Sequence, residues 1–454
     1  MENISVIKRY VAVGFIVIFL SPMMTQAVGV NSCSDENIEC YEKSACCQNI
    51  TLPPPATIDE ILEVTIHRRM SVREFTDEPV SDQDLSTMLW HAYGIGETGK
   101  RTVHLYGEKP GVHLYVVRED GVFFYDAVNH SLLLYKEGDY TKIVGWQFDA
   151  PVLFALVWDS NNNSDETLVA AEIGAIGQNI YFVANALNLG TVTTATYPDP
   201  METRVKLPAG EKGRSVIYLG HPSYDYDFTE RPLWLSLLPR IQDSSMSLTT
   251  AITERHEATS WQNDLTRQEL SQILWAAYGY SNYLDNSEPE LNPFNITRHR
   301  TVPSGCGIYS LRMYVVTKSG ISRYYPNIAD TIWGKVNGWK SWPQITFLMK
   351  TVIGDKRAEI AQASESYVES APLLIISVLD YDQIEKLPWD LHDYFIPWTM
   401  YYEAGAAAHN VFLEATSWDL SSNITPVTDK DAICNLLGLD TERFEPMFVM
   451  PVGK

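Results

Sequence analysis

The pattern of apolar and polar positions changes period in an ordered way along the chain. Leu85, Met88 and Leu89 share one face at helical spacing, so residues 84–94 read as an amphipathic helix. Apolar or alternating runs at residues 112–117, 122–125 and 152–157 predict strands. Residues 170–187 form a long stretch rich in small residues, which predicts a helix ahead of a further strand near Ile217. The mixture predicts an α+β fold, with helices packed on a mainly antiparallel sheet.

The same pattern occurs twice. Asp84-Leu85-Ser86-Thr87-Met88-Leu89-Trp90-His91-Ala92-Tyr93-Gly94 recurs as Glu269-Leu270-Ser271-Gln272-Ile273-Leu274-Trp275-Ala276-Ala277-Tyr278-Gly279. Further matches keep the same order: Arg101-Thr102-Val103 with Arg300-Thr301-Val302, and Leu114-Tyr115-Val116-Val117 with Met313-Tyr314-Val315-Val316. Ala150-Pro151 then pairs with Ala371-Pro372, Glu172-x-Gly174 with Glu403-x-Gly405, and Asn179 with Asn410. Chance does not produce so many ordered matches. Asp243-Ser244-Ser245 breaks the pattern and marks the junction, which gives repeats at residues 58–240 and 241–454.

Composition narrows the function classes. A chain of 454 residues that is 45% hydrophobic, with 12 Trp and 25 Tyr, can build large cores. Lys and Arg number 34 against 57 Asp and Glu, and the net charge of −23 argues against nucleic acid or an anionic membrane surface as partner. Any Arg cluster in so acidic a chain becomes informative.

The first 27 residues resemble a secretory leader: Lys8 and Arg9, an apolar run, then Thr25-Gln26-Ala27 as a cleavage site. The alternative is an uncleaved anchor, the one way a membrane would enter. Residues 28–57 form a Cys-rich linker, where Cys33, Cys40, Cys46 and Cys47 suggest local disulfides in an exported chain. A zinc site is the rival, although no His lies among them. Asn-x-Ser/Thr triplets at Asn49, Asn129, Asn162, Asn295 and Asn423 fit a secreted, glycosylated surface.

Arg69-Met70-Ser71-Val72-Arg73, followed by the repeated helix, Arg101-Thr102-Val103, Glu172-x-Gly174 and Gln178-Asn179, resembles the nitroreductase superfamily. It is most similar to the branch that holds the azoline-oxidising dehydrogenases. The resemblance runs from about residue 58 to the end, once per repeat. It implies an oxidoreductase with FMN at the interface of two subunits, here both on one chain, so that a monomer would act as a pseudo-dimer. It also implies that Arg69, Met70, Ser71 and Arg73 meet the flavin, together with Gly190 and Thr191 and a turn Pro303-Ser304-Gly305 from the other copy.

The residues agree with that expectation. Arg69 and Arg73 flanking Ser71 offer two cations and a hydroxyl, suited to a phosphate monoester, although a solvated basic stretch reads the same way. Pro303-Ser304-Gly305 can bring backbone close to a planar ring, or be an ordinary turn. Gly190 is alternatively a helix C-cap.

The copies have diverged in complementary ways. Where the first has Arg69-Met70-Ser71-Val72-Arg73, the second has Arg255-His256-Glu257-Ala258-Thr259, with a carboxylate hostile to phosphate. Where the second has Pro303-Ser304-Gly305, the first has His104-Leu105-Tyr106. Binding across the copies would leave one intact site and one dead one.

No catalytic base is identifiable, and the azoline oxidisers' Lys-Tyr pair is missing before both Glu172 and Glu403. Tyr394, Tyr401 and Tyr402 read as core, and Cys306 as a small buried residue or a redox neighbour of the turn. The ten His show no metal-ligand spacing, so no metal is expected. The substrate is a small molecule or peptide of unread identity. A flavin-free exported binding protein is the competing class.

Overall fold

The computed structural model describes residues 49–195, 200–224, 228–229, 235–284, 298–331, 345–386 and 398–454. The leader, the four linker cysteines, Asn295 and Tyr394 lie outside them. The two repeats fall in one compact unit, residues 48–454.

The repeated helices start and stop for the same physical reasons. In α1 (Asp82–Tyr93) the Ser81 side chain accepts from Asp84 N at 3.0 Å, and in α2 (Arg267–Tyr278) Thr266 and Glu269 cap each other reciprocally. Each ends on a glycine whose N–H donates to a Trp carbonyl, Gly94 to Trp90 at 2.7 Å and Gly279 to Trp275 at 2.6 Å. A Cβ at either position would collide with that Trp, so the Trp-x-x-x-Gly spacing is dictated by the tight exit.

Each repeat carries its own sheet, built in the same order. The first runs β3 (Ser131–Glu137), β2 (Gly121–Asp126), β1 (Val112–Arg118), β4 (Val152–Asp159), then Glu211–Gly220 and Gly190–Ala195. The second runs Ile345–Ile353, Gly320–Tyr325, Leu311–Thr317, Leu373–Asp380 and Phe444–Gly453, with matching register. Neighbours in this run are antiparallel, as predicted. Short edge strands complete them: Ile50–Thr51 on the first sheet, and Leu235–Ser236 parallel to Ile345–Thr346 on the second.

Two long helices form the junction: α3 (Glu166–Ala186) and its counterpart α4 (Trp398–Ser417). Gly174 of α3 lies against the Tyr402 carbonyl and Gly405 of α4 against the Ala171 carbonyl, so any side chain there would strike the partner backbone. The contact is symmetric, because Ala171 and Tyr402 are themselves equivalent positions. A second symmetric contact pairs Ile61 with Ser247, where Leu62 N donates to Met246 O at 3.2 Å and Leu248 N to Glu60 O at 2.8 Å. The repeats therefore meet about an approximate two-fold axis within one chain.

Two expectations need correction. Gly190 is not the helix C-cap. Asn188 takes the left-handed turn (φ 57°), Leu189 N closes it onto Ala184 O at 2.7 Å, and Gly190 opens a strand whose missing Cβ leaves room for Val72. Asn423 is not a surface acceptor: it is buried, its side-chain nitrogen donates to Ala258 O at 3.1 Å, and no glycan fits there in the folded chain. Asn49, Asn129 and Asn162 are exposed.

Candidate functional site

Beyond the short helix Leu62–His67 the chain turns extended and threads between α3 and the second repeat. Arg69 is almost fully buried there, its Nε donating to Arg300 O at 2.8 Å, with its guanidinium 5.1 Å from the Tyr181 ring centre. Its Nη1 is buried without a partner. Burial pulls the Arg69 pKa down, against the opposing influence of Tyr181, Tyr309 and Tyr402. Ser71 Oγ lies 3.1 Å from Tyr181 Oη, and Arg73 Nη1 donates to Ser71 O at 3.1 Å.

Val72 N donates to Thr191 O at 2.9 Å, which ties the segment to the strand that begins at Gly190. A cleft of about 550 Å³ lies here, lined in part by Met70, Val72, Tyr181, Leu189 and Thr191. The Thr191 hydroxyl donates to Tyr218 O at 2.8 Å, away from any ligand role.

The Pro303-Ser304-Gly305 turn lies between Arg300 and Tyr309, the residues that face Arg69. Ser304 Oγ donates to Glu403 at 2.6 Å and accepts from Tyr309 N at 2.9 Å, so the hydroxyl braces the turn rather than projecting from it. Glu403 also accepts from Tyr278. Burial raises the pKa of Glu403, and pushes that of its equivalent Glu172, held by Tyr93, up to about 7. Cys306 and Tyr309 both adopt left-handed backbone, at φ 51° and 50°, a strained pair in one turn. Cys306 is exposed, which corrects its reading as a small buried residue.

The mirror position is filled by its own side chains. Arg255 Nη2 donates to Arg101 O at 2.9 Å, the counterpart of the Arg69 bond. Here, however, Glu257 lies 3.9 Å from Arg255 and 3.0 Å from His104 Nδ1. Glu257 occupies the position of Ser71, and His104 that of Pro303. His104 stacks on Phe412 and meets Tyr106 edge-on, so ring, carboxylate and guanidinium close the space. The His104 hydrogen bond draws the Glu257 pKa down to about 2.

A model of the nitroreductase family matches the chain twice, over residues 66–200 and 262–454. The chain belongs to the nitroreductase family. Over 163 residues it is 31% identical to the putative nitroreductase MJ1384 of Methanocaldococcus jannaschii, a match spanning 31% of this chain and 82% of that relative. A putative nitroreductase from Anabaena variabilis ATCC 29413 superposes with a TM-score of 0.61 at 12% identity, over 92% of this chain and 99% of its own. That neighbour thus matches both nitroreductase repeats in a single chain. A putative nitroreductase from Desulfovibrio desulfuricans in complex with FMN is 22% identical over 37% of this chain and 91% of its own, with a TM-score of 0.28.

In this member of the nitroreductase family, several residues of the candidate site escape a motif reading. Tyr402 is buried, as its core reading requires, yet its hydroxyl lies 3.2 Å from Thr193 Oγ1 across the junction. Thr193 N in turn donates to Tyr181 Oη at 3.0 Å. Gly177 leaves the space for the Tyr402 hydroxyl. The signal was an asymmetry between repeats: Gly177 and Tyr402 on this side stand opposite Ala408 and Ala171 on the other, and Tyr181 opposite Phe412.

Proposed function

We propose that the chain is an FMN-dependent oxidoreductase that binds one flavin at the junction of its repeats. The observation that carries this reading is Arg69, a buried cation with an unpartnered Nη1 and, unlike Arg255, no carboxylate beside it among the described residues. Burying an unpaired charge is expensive, and an anionic ligand removes the cost. Arg69, Ser71 and Arg73 supply the donors a phosphate monoester needs, and the adjoining cleft combines Met70, Val72, Tyr181 and Leu189, which can meet a planar ring, with polar groups such as Asn185, Asn188 and His221. The residues fit the group that the resemblance implied.

Bound FMN would supply hydride transfer to or from a small organic or peptide substrate. The chain's own part is positioning. Arg69 is held by the Arg300 carbonyl, so its charge is fixed before a ligand arrives. Ser304, braced by Glu403 and Tyr309, keeps its turn rigid. Tyr181 and Tyr402 pack the junction and exclude water. The second position, closed by Glu257 and His104, serves as structure. The azoline branch is not part of the proposal, since its Lys-Tyr pair has no counterpart here. The reading takes the chain as an exported monomer whose repeats stand in for two subunits.

Titrating the purified chain with FMN and following flavin fluorescence tests the reading. Saturable quenching supports it, and free-flavin fluorescence throughout rejects it.

A further inference from the structure

A second cleft lies wholly within the second repeat. It has a volume of about 230 Å³, and Arg300, Arg312 and Arg323 converge on it, with Ser310, Asp330 and Asp380. Its carboxylates are paired in part: Asp330 through Oδ1 with Arg300 at 3.1 Å, and Asp380 with Arg312 and, at 2.9 Å, with Arg443. Arg323 is in no ion pair among the described residues; its guanidinium lies 4.4 Å from the Tyr325 ring centre.

Three donors around this cleft are buried without partners: Arg312 Nε, Arg323 Nε and Ser310 Oγ. Ser310 is completely buried. Unpaired buried donors carry a desolvation cost that folded proteins usually avoid. One acceptor is orphaned as well, Asp330 Oδ2. The Arg312 pKa is lowered to about 10, chiefly by burial and then by Arg323, so the two guanidinium groups repel across the cleft.

Among its described residues the first repeat has no such arrangement. There His113 stands in place of Arg312 and is answered by Glu211 at 3.0 Å, while Phe124 stands in place of Arg323. In the second repeat the position of Glu211 is Phe444, which leaves the added cations without that carboxylate. Among the described residues the arginine cluster lies in the second repeat alone.

We propose that this cleft binds a small aromatic amino acid or similar ligand, its carboxylate taken by Arg312, Arg323 and Ser310 and its ammonium by Asp330. The donors match a carboxylate's acceptors, and the orphaned acceptor calls for a cationic or donor group on the same molecule. Tyr280, Tyr309 and Tyr324 supply aromatic walls. The cleft adjoins the flavin reading's site through Arg300, whose carbonyl receives Arg69 while its guanidinium lines this cleft. Ligand occupancy does not depend on flavin.

Isothermal titration of the purified full chain with L-phenylalanine, 3-phenylpropionate and phenethylamine decides it. Both carboxylates are expected to bind, the amino acid more tightly, and the amine not at all. Arg323→Gln should weaken the amino acid at least about tenfold, with the variant's thermal melt showing that it folds. Ser310→Ala, a smaller change, should weaken it several-fold and carries the test if Arg323→Gln does not fold. The proposal is overturned if neither carboxylate binds, if the amine binds equally well, or if the folded variants bind unchanged. Because no flavin is needed for the readout, failure here leaves the flavin reading standing, and the converse holds.

Discussion

Arg69 and Arg300 are joined across the junction by a 2.8 Å bond from guanidinium to carbonyl, and the equivalent pair, Arg255 and Arg101, makes the same bond at 2.9 Å. The two arginines differ in what else they meet. Each keeps one buried nitrogen without a partner, Nη1 in Arg69 and Nε in Arg255, but among the described residues only Arg255 has a carboxylate beside it, that of Glu257. Arg69→Met should therefore lower FMN affinity by about tenfold to a hundredfold, the worth of charge-assisted hydrogen bonds. Arg255→Met should leave it unchanged, and fluorescence titration of both variants makes the comparison.

The turn from the other repeat gives a separate test. Ser304 is braced between Glu403 and Tyr309 N, so Ser304→Tyr cannot keep the turn in place. It should strip flavin from the purified protein although it lies far in sequence from Arg69. Leu105→Tyr, at the equivalent position of the closed side, should not. Equal flavin content in the two variants would put the site elsewhere.

The helix crossing depends on having no side chain at Gly174 and Gly405. Gly405→Val should cost about 3 kcal/mol through overpacking against the Ala171 backbone. Since this contact joins the repeats, calorimetry should show the whole transition shifted down rather than one repeat melting early.

Glu172 has a pKa raised by burial from 4.5 to about 7. A carboxyl raised on folding contributes stability that is full below pH 4.5 and is lost as pH rises toward 7, here about 3 kcal/mol by linkage. Glu172→Gln removes that dependence. Its melting temperature relative to the parent should rise between about pH 5 and pH 8, and a flat difference would mean that Glu172 is not the group responsible.

Much of this was legible in the sequence, because a repeat supplies its own comparison. The α+β mixture, the repeated helices and the main strand segments follow from patterns present in both copies, whereas the order of strands in each sheet and the close crossing of α3 and α4 do not. The opposite losses, Glu257 for Ser71 and His104 for Pro303, were visible as differences. What could not be read was that those two substituents meet each other at 3.0 Å and close the space. Their separation in sequence hides a contact that only the crossing of the repeats creates. Nor could the direction of the Thr191 and Ser304 hydroxyls be read, since it is set by Tyr218 and Glu403, which no local motif specifies. The C-cap alternative for Gly190 fails because Asn188, two residues earlier, takes the left-handed turn.

The central claim is a single flavin held by the two repeats together, and counting FMN per chain after saturation and gel filtration tests it most directly. A ratio close to one, lost in Arg69→Met and retained in Arg255→Met, is the expected result. Two per chain would show that Glu257 and His104 do not close the second position, and none would contradict the account and favour a flavin-free binding protein.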